Sequence, residues 1–331
     1  MAVSIEDIKK LRAMTGAGLA DVKKALTEAE GDFDKAKELL RERGLAIAAK
    51  RSDRETSNGC VLVKKVNDFA AIIALKCETD FVANGADFIK LTSDILDAAI
   101  AAKCHTLDEV KALALGESDA QAAVTQRSGI TGEKMELDGY CVLEGDNIEV
   151  YDHMNKHTLC TMVQLNENNE EAGHKVAMQV AAMRPVALDE SSVSEETKKT
   201  ELEVAVAKTK EELVEKAVNA ALKKAGINPA HVDSEEHIES NTKKGWLTPE
   251  QAEEARNIKK TVGEEKAATL NPTMIQNIAN GRLAKFFKEN CLVDQEFQFG
   301  DGDKQTVAQY LASQSKDLKI VAYQRFTLAA E

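Results

Sequence analysis

The chain has 331 residues, which is too long for one small domain and predicts two or three structural units. Hydrophobic residues make up 43% of it, enough for a substantial core, and charged residues make up 30%, which suits long exposed helices. The net charge of −13 argues against direct binding to DNA or RNA, because phosphates select Lys and Arg, but it permits a protein partner with a basic face.

Cellular location follows from what the sequence lacks. The N-terminus has no apolar leader, no stretch reaches the length of a membrane span, and the six cysteines form no CxxC pair. We therefore expect a soluble, cytoplasmic protein with reduced, buried thiols, and no membrane partner.

The first 44 residues predict a small three-helix module. Ser4 and Asp7 have the spacing of a capping box at the first helix, and Asp32 is a candidate N-cap for the third. We expect the third helix to end at Gly44, since glycine often terminates helices. Residues 45–58 then predict a linker whose alanine-rich start could be helical.

The central part of the chain predicts an α+β core. A hairpin over Cys60–Val66 and Phe69–Cys77, followed by an amphipathic helix, predicts a first core subdomain over 59–139. Short strands and a helix recur after residue 140, which predicts a related second subdomain over 140–189 and 271–331. We expect Leu318–Leu328 to be the strand that completes the second sheet.

Residues 190–270 are polar and helical, and predict an insertion into the second subdomain. Leu202, Val206 and Thr209 continue to Leu213 with the spacing of a short coiled-coil seam. One interpretation is an antiparallel coiled-coil arm that binds a partner. The other is a solvated helical insertion without one, and the sequence does not decide between them.

A candidate site lies where the most apolar strand ends. Cys77 is followed by Glu-Thr-Asp-Phe-Val, so that Asp80 and Phe81 stand at the margin of the sheet. One interpretation is that Phe81 belongs to the protein's own core, as most large apolar residues do. The other is a partner-binding wedge, in which the ring supplies affinity and the acid supplies orientation.

Common catalytic and nucleotide-binding motifs are missing from the sequence. It contains no GxxxxGK[ST], no GxGxxG after a strand and no HExxH. We therefore expect a binding protein rather than an enzyme, without a metal, a cofactor or a small-molecule substrate. Two alternative hypotheses are a scaffold protein without any activity beyond binding and an enzyme that uses Cys77. The second is disfavoured because a buried thiol is usually inert.

Several segments together resemble the translation elongation factor Ts family. They are Leu11-Arg12, Thr15-Gly-Ala-Gly18, Asp21, Lys23–Leu26, Thr79–Ala83, Ala177–Pro185, Gly281–Phe286, and Gln295 through Phe326. The resemblance implies a ubiquitin-associated-like N-terminal module, a core of two α+β subdomains and a coiled-coil insertion. It also implies guanine-nucleotide exchange on elongation factor Tu during protein biosynthesis, with Asp80 and Phe81 inserted near the magnesium site of that GTPase.

The resemblance further implies which residues contact the GTPase. They are Arg12, Leu19, Ala20, Lys23, Thr79, Asp80, Phe81, Val82, Thr131, Gly132 and His153. The chain departs from the family after His153, where Met154–His157 replaces a glycine-rich turn that many members have. We also expect residues 226–270 to be longer than in typical members, and no counterpart of the extra C-terminal helix of some members.

Overall fold

The computed structural model describes residues 3–116, 118–300, 302 and 304–329. The chain forms a core unit, comprising Met1–Leu188 and Gln295–Glu331, and a helical unit, Asp189–Asp294. The core unit combines helices with small antiparallel sheets, so the predicted α+β class is confirmed. Among the residues described, no helix combines the length and the apolar character needed to cross a membrane.

The N-terminal module consists of α1 (Ile5–Thr15), α2 (Leu19–Glu28) and α3 (Phe33–Ala49). The predicted caps are present: Ser4 and Asp7 form a capping box, and the Asp32 side chain accepts hydrogen bonds from the first turn of α3. The helices enclose a small core that includes Leu11, Val22 and Leu26. The helical N-terminal module predicted from the sequence is therefore confirmed.

The prediction that α3 ends at Gly44 is wrong, because the helix continues to Ala49. Gly44 instead lies where α3 packs against α7 (Ala120–Thr131), with Gly129 opposite. A Cβ added to Gly129 would overlap the Gly44 backbone. Gly129 must therefore be a glycine for the two helices to approach closely, and the start of the expected linker belongs to the helix that makes this packing.

The first sheet has the order β1-β2-β5, formed by β1 (Asn58–Val66), β2 (Phe69–Cys77) and β5 (Met135–Glu144). Strand β2 is buried on both faces, which explains its unbroken apolar sequence. One face packs on the helices that follow the hairpin, and the other contributes to a core shared with the second sheet. The helices are α4 (Asp80–Ala83), α5 (Ala86–Ala101), α6 (Leu107–Lys111) and α7, with the short strands β3 (Ala114–Leu115) and β4 (Ser118–Asp119) before α7.

The second sheet has the order β6-β7-β8, formed by β6 (Ile148–Asp152), β7 (Leu159–Leu165) and β8 (Ile320–Thr327). Strand β8 pairs with β7, as expected for the final strand. Helices α8 (Glu170–Met183) and α13 (Val307–Gln314) complete this part. The structure differs from the expected boundary at residue 140, which falls inside β5, because that strand starts at Met135 and pairs with β2.

The helical unit contains α9 (Glu195–Lys224), α10 (Glu235–Lys243), α11 (Pro249–Ala268) and α12 (Pro272–Asn290). Helices α11 and α12 both pack along α9. Arg282 of α12 forms an ion pair with Glu212 of α9, with 3.0 Å between Nη1 and Oε1. Helix α12 therefore groups with the insertion, whereas the sequence-based boundary at residue 271 placed it in the second subdomain.

Candidate functional site

The short helix α4 presents Phe81 to solvent. The helix starts directly after β2, with Thr79 as its N-cap, and Phe81 is 87% exposed. Ala83, two residues later, is buried in the core, while Val82 packs partly against it. The interpretation that Phe81 belongs to the protein's own core is therefore wrong. An aromatic side chain held in water on a capped turn is suited to insertion into a partner.

Glu133 fixes the start of α4. The Thr79 hydroxyl donates to Glu133 Oε1 at 2.6 Å, and the Thr79 backbone N–H donates to Oε2 at 3.1 Å. Glu133 directly follows Thr131 and Gly132, which end α7 in a left-handed cap with a φ of 71° at Gly132. Two segments that the resemblance assigned to the same interface, Thr79–Val82 and Thr131–Gly132, are thereby brought together.

A second carboxylate, that of Glu78, stabilises the segment just before α4. Glu78 accepts from the Lys134 backbone N–H at 2.7 Å and pairs with Arg54 at 2.8 Å and Arg51 at 3.5 Å. The Lys134 N–H and the two guanidinium groups lower the pKa of Glu78 below its usual range. Both arginines come from the predicted linker, so that part of it is tied to the base of α4.

Asp80 is exposed beside a cavity of about 280 Å³. Asn84, Lys156 and His157 also line this cavity. The backbone carbonyl of Asp80 accepts a hydrogen bond from the Asn84 side chain at 2.8 Å, which stabilises the helical turn. Within the part of the chain that the structure describes, the Asp80 carboxylate makes no ion pair, so its charge is directed to solvent or to a partner.

His153 lies in the second subdomain, immediately after β6. It is half-buried, and its Nδ1 is 3.2 Å from the Tyr151 hydroxyl. The loop that it begins continues into the wall of the cavity beside Asp80, through Lys156 and His157. The structure therefore places His153 on a loop that borders the Asp80 cavity.

The four candidate residues of the N-terminal module lie on other elements. Arg12 is on α1, and Leu19, Ala20 and Lys23 are on α2; all four are exposed, Leu19 by 58%. The module packs on the core mainly where its helix α3 lies against α7. The structure thus groups these residues on the module and does not place them on the helix that carries Phe81.

Cys77 has the properties of a core residue. Its side chain is buried, and its Sγ donates to the Thr79 carbonyl at 3.2 Å. Burial, together with the nearby Glu133 carboxylate, raises the pKa of Cys77 to about 12. The thiol is neutral near pH 7, so the structure disfavours the interpretation of Cys77 as a nucleophile.

Sequence reasoning missed Glu78, Glu133 and the two linker arginines. Glu133 is 54 residues from Thr79 in the chain, and no spacing rule joins them. The only local signal was the position of Glu133 one residue after a helix cap that was itself a candidate contact. Such groups are found only when the tertiary structure shows which side chains hold the exposed ones in place.

Comparison with known proteins gives one consistent family. A family model described as Elongation factor TS matches residues 78–330. The chain is 62% identical over 332 residues to an Elongation factor Ts of Bacteroides fragilis, covering 100% of both chains. It is 60% identical over 331 residues to that of Parabacteroides distasonis and 39% identical over 333 residues to that of Porphyromonas gingivalis, again with 100% coverage of both chains.

Proposed function

The chain belongs to the elongation factor Ts family, and on this premise we propose that it releases GDP from elongation factor Tu by placing Asp80 and Phe81 beside the magnesium site of that GTPase. Family membership supports the coarser part of this statement, which is guanine-nucleotide exchange on elongation factor Tu in translation elongation. The role is that of an exchange factor and not of a catalytic enzyme. The insertion of Asp80 and Phe81 is the finer part, and it is our proposal.

The observation that carries the proposal is the exposure of Phe81. At 87% it is the most exposed large apolar side chain among the residues described. It is presented on a turn whose N-cap, Thr79, is fixed by two hydrogen bonds to Glu133. An aromatic side chain on a fixed turn has only two side-chain torsions to lose on binding and can bury a large apolar area, which are the properties of an interface anchor.

The proposed mechanism is allosteric and requires no covalent step. A ligand that binds the nucleotide-free GTPase more tightly than the GDP-bound form must, by reciprocity, weaken the binding of GDP. Phe81 separates helices of the GTPase, and the Asp80 carboxylate disturbs the groups that support its magnesium ion. Because the metal ion offsets the charge of the phosphates, its loss accelerates GDP release.

The remaining contacts stay proposals of the same kind. We propose that Thr79, Val82, Thr131 and Gly132 form the rim around the Phe81 wedge, which their connection through Glu133 supports. His153 is proposed as a contact from the second subdomain. We propose that the N-terminal module forms a further contact surface for elongation factor Tu. It consists of the exposed residues Arg12, Leu19, Ala20 and Lys23.

The test is the release of a fluorescent GDP analogue from elongation factor Tu of the same organism. We expect a small fraction of an equivalent of this protein to accelerate release of the whole nucleotide pool, because an exchange factor turns over. Acceleration that required a full equivalent would contradict exchange by turnover. Unchanged release in the presence of folded protein would overturn the proposed function and favour a scaffold.

A further inference from the structure

The loop after β6 has a backbone that its residues adopt only when they are held. Met154 has a φ of 57° and a ψ of 18°, and Asn155 and His157 have φ values of 53° and 54°. These are left-handed conformations that favour glycine, and Met in particular is disfavoured there. This chain thus has left-handed backbone at Met154, Asn155 and His157 without a glycine, while Lys156 is right-handed, so other interactions must hold the loop.

Asp152 is the residue that holds it. Its Oδ1 accepts from the His157 backbone N–H at 3.2 Å, and its Oδ2 lies 2.5 Å from His157 Nδ1. The His157 carbonyl in turn accepts from the Val61 N–H at 2.7 Å, which ties the loop to β1 of the first sheet. The Asp152 side chain is only 16% exposed, so these interactions are shielded from water and strengthened.

The held loop exposes an apolar side chain close to the candidate interface. Met154 is 64% exposed at the tip of the loop, next to the half-buried His153. Farther along the loop, Lys156 and His157 line the cavity that Asp80 also lines. Left-handed backbone at residues other than glycine is a form of strain that clusters at functional sites. The loop is continuous with the surface that carries Asp80.

We propose that Asp152 is a positioning residue, which holds the loop Met154–His157 so that Met154 and His153 form a second contact with elongation factor Tu. This inference rests on the proposed function and deepens it. Met154 supplies apolar area that a glycine-rich turn does not have. Asp152 itself does not touch the partner; it removes the entropic cost of ordering the loop on association.

The experiment measures exchange at increasing concentrations of elongation factor Tu·GDP for wild type, Asp152→Ala, Asp152→Asn and Asp146→Ala. Asp146 is a matched control because it is exposed and precedes β6, whereas Asp152 ends that strand. We expect Asp152→Ala to raise KM about 3- to 10-fold with little change in kcat, since a mobile loop weakens association. We expect Asp152→Asn to restore KM in part, because its amide oxygen can still accept from the His157 N–H.

A second variant separates positioning from general stability. Asn155→Gly in the Asp152→Ala background adds freedom to a loop that has lost its hydrogen bonds, and we expect it to raise KM further, because glycine loses more conformational freedom on ordering. Met154→Ala should also raise KM, because it removes the apolar contact while the Asp152 hydrogen bonds still hold the loop. Wild-type KM values in both Asp152→Ala and Met154→Ala would overturn the inference. So would a rise in KM of Asp152→Ala that matches its loss of thermal stability and that Asp152→Asn does not reverse in part. Failure of the wild-type protein itself to exchange nucleotide would instead overturn the proposed function.

Discussion

The most direct perturbation of the candidate site is Phe81→Ala. Because Phe81 is 87% exposed, its removal should change the free energy of unfolding by no more than about 0.5 kcal/mol. Insertion of the ring into a partner would bury about 150–250 Å². At about 25 cal/mol/Å² this is roughly 4–6 kcal/mol, which ordering and desolvation reduce to ~2–3 kcal/mol for a typical aromatic anchor.

This energy sets the expected kinetic effect. A loss of ~2–3 kcal/mol corresponds to a kcat/KM for stimulated GDP release that is about 30- to 150-fold lower. The assay is the release of fluorescent GDP from elongation factor Tu at subsaturating concentrations of the exchange factor. Thermal unfolding, monitored in parallel, should be unchanged.

The matched control is Val66→Ala. Val66 is 42% exposed at the turn end of the β1–β2 hairpin, whereas Cys77, which precedes α4, lies at its opposite end. We expect this variant to exchange nucleotide at the wild-type rate. An unchanged rate for Phe81→Ala would refute the wedge, and an equal loss in Val66→Ala would show that the effect is not specific to Phe81.

Three further predictions concern the structure that supports the site. Gly129→Ala should force α3 from α7, destabilise their packing by about 1–3 kcal/mol and speed amide hydrogen exchange in both helices, since the new Cβ would overlap Gly44. Gly281→Ala, with nothing within 4 Å of the new Cβ, should instead slow exchange in α12, and equal behaviour of the two variants would be evidence against the close crossing. Glu78→Gln should lower the urea unfolding free energy at pH 7 by ~1–3 kcal/mol. The Glu78 carboxyl has a lowered pKa in the folded state, so its contribution is present above the unfolded pKa of about 4.3 and is lost as the pH falls through the folded value. The stabilities of the two proteins should therefore converge as the pH falls through the lowered folded pKa of Glu78, and a constant difference would refute this origin. Cys77→Ala should exchange nucleotide normally. In the wild-type protein burial raises the pKa of Cys77 to about 12, so iodoacetamide at pH 8 should label Cys77 only after unfolding; labelling of Cys77 itself in the folded protein, rather than of the partly exposed Cys141, would contradict this.

Local order was readable from the sequence because it depends on neighbours in the chain. The capping box of Ser4 and Asp7, the N-cap Asp32 and the hairpin β1–β2 all formed where the residue types predicted them. The position of Asp80 and Phe81 at the end of a strongly apolar strand can be read from the sequence for the same reason. What the sequence left open was the direction of Phe81, because exposure depends on whether another part of the chain covers a side chain.

The tertiary structure decided the contacts between distant segments. Gly44 has the residue type of a helix end, but α3 continues past it, and the close approach of α7 at this point requires that Gly129 has no side chain. Strand β5 belongs to the first sheet because its partner is β2, and β2 is buried on both faces. The groups that fix the candidate site, Glu133 on Thr79 and Asp152 on His157, act through hydrogen bonds whose geometry exists only after folding. The chain's local pattern therefore determined which residues could act, and long-range packing determined which of them are held in position to do so.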